Sequence, residues 1–267
     1  LRGRIIMSKN KPKILLLDVE TAPVVGHVWR LFKTNVGLNQ IERDSHLLSW
    51  SAKWLDSKEI MYMDQRNKRN IEDDKQLTKG LAKLIDKADI IVTQNGKSFD
   101  EKVIKGRMII HGLPPIAGYK HFDTYRFGKA HFRLTSHKLE YMAKALNVKH
   151  RKLTIRKFDG HELWSQCLKG NQAAYAEMEK YNKLDVKVLE EIYLKMRPWD
   201  SSTNFEVYSK DNKSVCTCGS KKFRKYGFVY KNRGKFQKYQ CKDCGRITRS
   251  GKNLLTKAKR DNIRRKV

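Results

Sequence analysis

The sequence has no long hydrophobic run. No segment reaches the ~18 consecutive apolar residues of a membrane-spanning helix. The longest apolar stretch near the start, Ile14 to Leu17, falls short of the ~7–15 residues of a secretory signal core. Acid is scarce too: 28 Asp+Glu stand against 58 Lys+Arg, a net charge of +30. That far exceeds the net charge of about 2–8 that keeps a small domain soluble. A polyanion is the natural counter-charge, which makes nucleic acid, not a membrane, the expected partner. The absence of internal repeats and low-complexity tracts excludes repeat architectures. The eight histidines include no pair at a His-x-x-x-His spacing. Only five cysteines occur, and nothing around them indicates an oxidising compartment, so a disulfide framework fits poorly.

What is present suffices for a core. At about 150 residues per domain, 267 residues predict one large domain plus something small. The 26 aromatic residues, spread along the chain, argue against global disorder. Residues 211–267 hold 19 Lys+Arg and 3 Asp, a net charge of +16, and four of the five cysteines. The run Arg197-Pro198-Trp199-Asp200-Ser201-Ser202 before them reads as a helix stop and a linker. The expected division is a leader over 1–12, a large domain over 13–200, a linker over 201–212, a cysteine module over 213–250 and a basic tail over 251–267. Within the leader, the six residues before Met7 read as a cloning scar or the product of an upstream start.

In the large domain, 13–17 reads as a buried strand, and segments near 26–33, 47–54 and 58–63 as further strands. Leu77, Leu81, Leu84 and Ile85 recur at helical spacing. A short strand at 90–93 leads through the turn Asn95-Gly96 into a helix over 98–111. Phe122 to Thr124 suggests another strand, and helices are expected over 137–146, 160–168 and 171–195. This order predicts an α/β fold with a mixed sheet flanked by helices.

Four acidic residues fall where such a fold would gather them. Asp18 and Glu20, two apart at the end of the first strand, share one face. Asp100 opens a helix just past the strand at 90–93, and Asp185 lies in the last long helix with Tyr181 four residues before it. Taken singly, each has a plain structural reading: a solvated strand end, a helix-dipole partner, an exposed helix stripe. Gathered together, four carboxylates repel one another, and hard divalent cations such as Mg²⁺ relieve that repulsion. Two such ions ~4 Å apart serve to activate water and stabilise a leaving phosphodiester oxygen.

These motifs in this order resemble the tyrosine-type branch of the DEDD superfamily of 3′–5′ exonucleases, which have an RNase H-like fold. Asp18-Val19-Glu20-Thr21 is similar to the first motif, Asn95 to Asp100 to the second, and Tyr181-Asn182-Lys183-Leu184-Asp185 to the third. Asp123-Thr124, Lys138 to Ala143 and Leu146 resemble the intervening segment in proofreading domains of family B polymerases. The whole chain is similar to exonuclease-like proteins of bacteriophages and prophages that carry a C-terminal zinc ribbon. The resemblance implies a stand-alone exonuclease using two Mg²⁺ or Mn²⁺ ions, with DNA favoured over RNA. The implied location is the cytoplasm, a bacterial host's if the chain is phage-encoded. It further implies that Asp18 bridges the two ions, Glu20 and Asp185 hold one, Asp100 serves the other, and Tyr181 positions the attacking water. Asn95 either touches substrate or fixes its turn, and Phe99 is a candidate substrate contact. Asp123 either supports the site or simply ends a strand. The competing expectations are a structure-specific endonuclease or transposase-like strand-cutter, and a nucleic-acid-binding module without catalysis.

Cys216-Thr217-Cys218 and Cys241-Lys242-Asp243-Cys244 form two knuckles joined by a hairpin-like stretch in which Tyr226, Phe228 and Tyr230 alternate. The pattern predicts one structural Zn²⁺ on Cys216, Cys218, Cys241 and Cys244. The first knuckle is Cys-x-Cys, not Cys-x-x-Cys, which leaves Cys216 open as a ligand and a metal-free thiol cluster as the alternative. Cys167, alone in a helical stretch, reads as a small core residue. The ribbon's aromatics serve either as its small core or as bases' stacking partners. His161, heading a helix, reads as structural.

Overall fold

A computed structural model describes residues 11–151, 157–209 and 214–264. The expected leader up to residue 10, residues 152–156, the linker residues 210–212, the first residue of the cysteine module and the last three tail residues lie outside the described residues. The chain divides into two compact units, Lys13–Tyr193 and a second formed mainly from Leu194 onward.

The first unit is built on β1 (Ile14–Thr21). Its unbroken apolar run suits a strand covered on both faces, and Leu15, Leu16 and Leu17 are indeed buried. A short hairpin follows, β2 (Val25–Gly26) with β3 (Ile41–Arg43), then β4 (Leu47–Trp54) and β5 (Met61–Asp64). Next come α1 (Lys75–Ile85), β6 (Ile90–Thr93), α2 (Asp100–Ile110), β7 (Lys120–Asp123) and α3 (Thr124–His131). Three helices complete the unit: α4 (Leu139–Ala145), α5 (Glu162–Leu168) and the 25-residue α6 (Gln172–Met196). The five-stranded sheet has the order β5-β4-β1-β6-β7. β1 runs antiparallel to β4 and parallel to β6, which pairs in parallel with β7. This is the expected mixed sheet flanked by helices.

Strand alternation decides where the chemistry sits. Leu15, Leu17 and Val19 pack into one core cluster with Leu77, Leu81 and Ile104 of α1 and α2. The even-numbered Asp18 and Glu20 therefore point to the opposite face. There a second cluster joins Leu48 to Leu163, Cys167, Tyr175, Met178 and Tyr181 of α5 and α6. Cys167 is buried in it, as its lone position predicts.

The strand expected near 26–33 shrinks to Val25–Gly26. Trp29, Leu31 and Phe32, with strand-like side chains, find no sheet to join and stand 98%, 86% and 82% exposed. Helix α3 goes unseen in the composition. Its signal is Asp123, whose carboxylate accepts hydrogen bonds from Tyr125 N and Arg126 N and caps the helix, so Thr124 opens a helix instead of extending a strand.

The second unit holds a three-stranded sheet, β10-β9-β8, from β8 (Phe223–Lys231), β9 (Gly234–Cys241) and β10 (Ile247–Arg249). A two-residue turn, Asn232-Arg233, joins β8 to β9. Gly234 is required at its exit, since a Cβ there would lie 2.4 Å from the Phe236 ring. The described part of the expected linker is not a bare connector. Asp200 accepts hydrogen bonds from Ser202 N and Oγ, Phe205 is buried in a short 3-10 turn, and Arg246 donates to Thr203 O at 2.9 Å. In the basic tail, α7 (Lys257–Asp261) is capped by Thr256, whose hydroxyl accepts from Lys259 N. Among the described residues no helix is long and apolar enough to cross a membrane.

Candidate active site

Asp18 and Glu20 project from the C-terminal half of β1 and are half-buried. Asp100 begins α2 directly across from them, buried, with its Oδ1 accepting a hydrogen bond from Val19 N at 3.2 Å. Two features place Asp100 there. The Asn95 backbone adopts a left-handed conformation (φ +62°), and Gly96 passes so close to β6 that a Cβ would lie 2.2 Å from Thr93 Oγ1. Asp123 then gathers the turn: it accepts from Asn95 N at 3.0 Å and Lys97 N at 3.1 Å while also capping α3. Asn95 thus fixes its turn through the backbone. Phe99, at the head of α2, keeps a largely exposed ring.

From the other side, α6 brings three residues. Tyr181 and Asp185, one turn apart, are both buried and hydrogen-bonded to each other. Asn182, fully buried between them, donates from Nδ2 to Asp18 Oδ2 at 2.5 Å. Trp164 of α5 donates from Nε1 to Glu20 Oε2 at 3.2 Å and meets the Tyr181 ring edge-on, with centroids 6.0 Å apart.

The charges are crowded. Burial, then repulsion from Glu20, Asp100 and Asp185, pushes the Asp18 carboxyl well above the usual carboxylate range, and Asn182 only partly offsets this. Burial pushes Asp100 up to about 7 against hydrogen bonds from its own and the Val19 N–H, with Asp123 adding to the rise. Burial and the neighbouring carboxylates of Asp185, Glu20 and Asp18 keep the Tyr181 phenol protonated far above neutrality. A set of oxygen donors that resists carrying its own charge suits hard divalent cations.

The sequence patterns singled out Asp18, Glu20, Asp100, Tyr181 and Asp185, and these five share one neighbourhood. Asn182 and Trp164 drew no attention as site residues. An asparagine inside a helix carries no periodic signal, and only its burial marks it.

In the second unit, the sulfurs of Cys216, Cys218, Cys241 and Cys244 all lie within 4.8 Å of one another. Among the described residues this is the one group of three or more His, Cys, Asp or Glu placed to share a single ion. Cys216 Sγ is 3.4 Å from Cys244 Sγ, and Cys218 Sγ is 3.6 Å from Cys241 Sγ. Tetrahedral zinc with Zn–S of about 2.3 Å sets its sulfurs about 3.8 Å apart, so the donor set fits. The Cys-x-Cys spacing does not keep Cys216 out of the cluster. Burial opposes thiolate formation, yet the N–H groups of Cys244 and Asp243 and the Cys218 side chain bring Cys241 down to about 7.

A fold of this kind, with a mixed sheet in the order described and acidic residues on its central strand, defines a class. The family model for the RNase H superfamily matches residues 37–197, more than half of the chain. The chain belongs to this superfamily, and its fold is RNase H-like. The match includes Asp100, Tyr181 and Asp185 and begins after Asp18 and Glu20. Among solved structures, the chain is similar to the family B DNA polymerase from the hyperthermophilic archaeon Pyrobaculum calidifontis. The two share 16% identity with a TM-score of 0.53, over 70% of this chain and 25% of that one. The chain thus spans about a quarter of the polymerase it matches, and a likeness at this identity is one of fold. No curated protein sequence matches the chain.

Proposed function

We propose that the chain is a metal-dependent 3′–5′ exonuclease that removes nucleotides from the ends of nucleic acid, DNA in preference to RNA. The observation that carries this reading is the neighbourhood of Asp18, Glu20, Asp100 and Asp185, near enough to repel one another's charge though no three of them converge at single-ion distance, with the Tyr181 hydroxyl beside Asp185. These carboxylates are the residues that would hold two divalent cations, Asp18 being central to the set. The ions would supply Lewis-acid activation of water and neutralise charge at the leaving oxygen.

The chain's own groups do the rest. Asn182 holds one oxygen of Asp18 and leaves the other outside that hydrogen bond. Trp164 does the same for Glu20. Tyr181, held protonated with its O–H on Asp185, would accept a hydrogen bond from the attacking water on its phenol oxygen and so orient it. The exposed Phe99 ring offers a surface against which a terminal base can rest. The cysteine cluster holds a structural zinc, which a unit this small needs in place of a large core.

The test is an incubation of 5′-labelled single- and double-stranded DNA and RNA oligonucleotides with Mg²⁺ or Mn²⁺. A ladder shortening from the 3′ end is the expected result. A discrete internal product would make the chain an endonuclease. Binding with no product under either ion would make it a binding module.

A further inference from the structure

We infer that the outward face of the β8–β9 hairpin is a stacking platform for single-stranded nucleic acid. The ligand class rests on the nuclease reading above; the place and the mode of binding are new. β8 carries Tyr226, Phe228 and Tyr230 with 44%, 41% and 70% of their surface exposed. A one-residue bulge between Lys225 and Phe228, where Gly227 has a φ of +76°, breaks the alternation. Phe228 and Tyr230, paired with Gln237 and Lys235, therefore share one face and Tyr226 lies on the other; the platform is Phe228 and Tyr230. Val229, between them, instead lines a cavity with residues of 203–206 and 214–217 of the same unit. The exposed row is therefore not the ribbon's core.

Each ring has a cation on it. Lys235 Nζ lies 4.2 Å from the Phe228 ring centroid and 5.7 Å from that of Tyr230. Lys238 Nζ and the Arg224 guanidinium lie 5.5 and 5.9 Å from the Tyr226 centroid. Residues 221–250 contain eleven Lys+Arg and a single acid, Asp243. A polyanion that also offers flat faces matches this surface: bases take the rings and displaced ammonium groups move onto the adjoining phosphates.

The spacing selects the strand state. Phe228 and Tyr230 are alternate residues of a strand, about 6.7 Å apart along it. Stacked nucleotides rise only ~3.4 Å. Neighbouring bases must be drawn apart to reach neighbouring rings, which a single strand permits and an intact duplex resists.

The test measures binding by the full chain in buffer without Mg²⁺ or Mn²⁺, so that hydrolysis does not interfere. The probes are a labelled oligothymidylate of about 12 nucleotides and an abasic oligomer of equal length. The chain should bind the base-bearing strand at least about tenfold more tightly. The variant Phe228→Ser/Tyr230→Ser should bind both probes equally, with its salt dependence unchanged because no charge is altered. Phe228→Tyr/Tyr230→Phe should keep the preference. Equal binding of both probes by the unaltered chain overturns the proposal whether or not the double variant folds. So does a preference that survives the double substitution with zinc content intact. Either result leaves the face to a protein partner. A chain that cuts but ignores the bases removes the platform alone, and one that prefers bases but cuts nothing removes the nuclease reading alone.

Discussion

The side-chain amide of Asn182 donates to the carboxylate of Asp18 at 2.5 Å, joining the middle of α6 to the central strand across 164 residues of sequence. It is a neutral donor on a carboxylate beset by three others, and it lowers the cost of keeping that carboxylate charged. Asn182→Leu should therefore leave α6 packed but release Asp18. The expected outcome is a kcat at least about tenfold lower with KM for the oligonucleotide little changed, since the loss falls on positioning and not on strand binding. Steady-state kinetics check this. A raised KM with normal kcat would place Asn182 outside the catalytic arrangement.

Asp18→Ala or Asp185→Ala should abolish hydrolysis while the thermal midpoint holds or rises, because each removal relieves like-charge repulsion in the metal-free site. Tyr181→Phe should be milder. Losing a water-orienting hydroxyl costs about 10²–10⁴-fold at most and leaves all four carboxylates in place. Cleavage rates and thermal melts of the three purified variants decide the matter. Full turnover by either alanine variant would sink the site assignment.

Stability should hinge on a different carboxylate. Asp74, fully buried before α1, accepts hydrogen bonds from Arg107 Nε at 2.7 Å and Nη2 at 2.8 Å, from Leu47 N at 2.7 Å, and pairs with His111 Nε2 at 2.5 Å. It thereby ties the start of β4 to the end of α2. Burial alone would raise its pKa, but Arg107, Leu47 N–H and His111 outweigh burial and hold it below the usual range. A depressed folded-state pKa means the contribution is present above the unfolded value of ~3.9 and is lost as pH falls through the folded value. Asp74→Asn, which leaves Arg107 buried and unpaired, should cost about 3–5 kcal/mol at pH 7. The gap from the unaltered chain should narrow below about pH 4. Denaturant melts at several pH values give both quantities.

For the cysteine cluster, purified protein should contain one zinc per chain, and Cys216→Ser should lose it. Zinc loss should unfold the ribbon, because metal binding and folding are one equilibrium in so small a unit. Melting of the unit Lys13–Tyr193, with its own two core clusters, should persist. Metal analysis and a two-transition melt check this; a Cys216→Ser protein that retains its zinc would remove Cys216 from the ligand set.

Local patterns in the sequence determined a good deal here. Ile14 to Leu17 announces a strand covered on both faces, Asp18 and Glu20 share a face because strands repeat every two residues, and Tyr181 and Asp185 share one because helices repeat every 3.6. The cysteine knuckles are equally local, as ligand spacing is written directly in the chain. What the tertiary structure alone decided are relationships that no period encodes. Asn182 is a polar residue in a helix until Asp18 arrives from 164 positions away, and Trp164 is a core aromatic until it reaches Glu20 across 144. Asp123 stayed ambiguous between a strand end and a supporting residue until its carboxylate was seen to hold the Asn95 turn, 28 residues distant, and to cap α3 as well. The same reason explains the missing strand at Trp29, Leu31 and Phe32. Their side chains favour a sheet, but a strand forms only where another backbone offers its hydrogen bonds, and that partner is set by the fold and not by the segment.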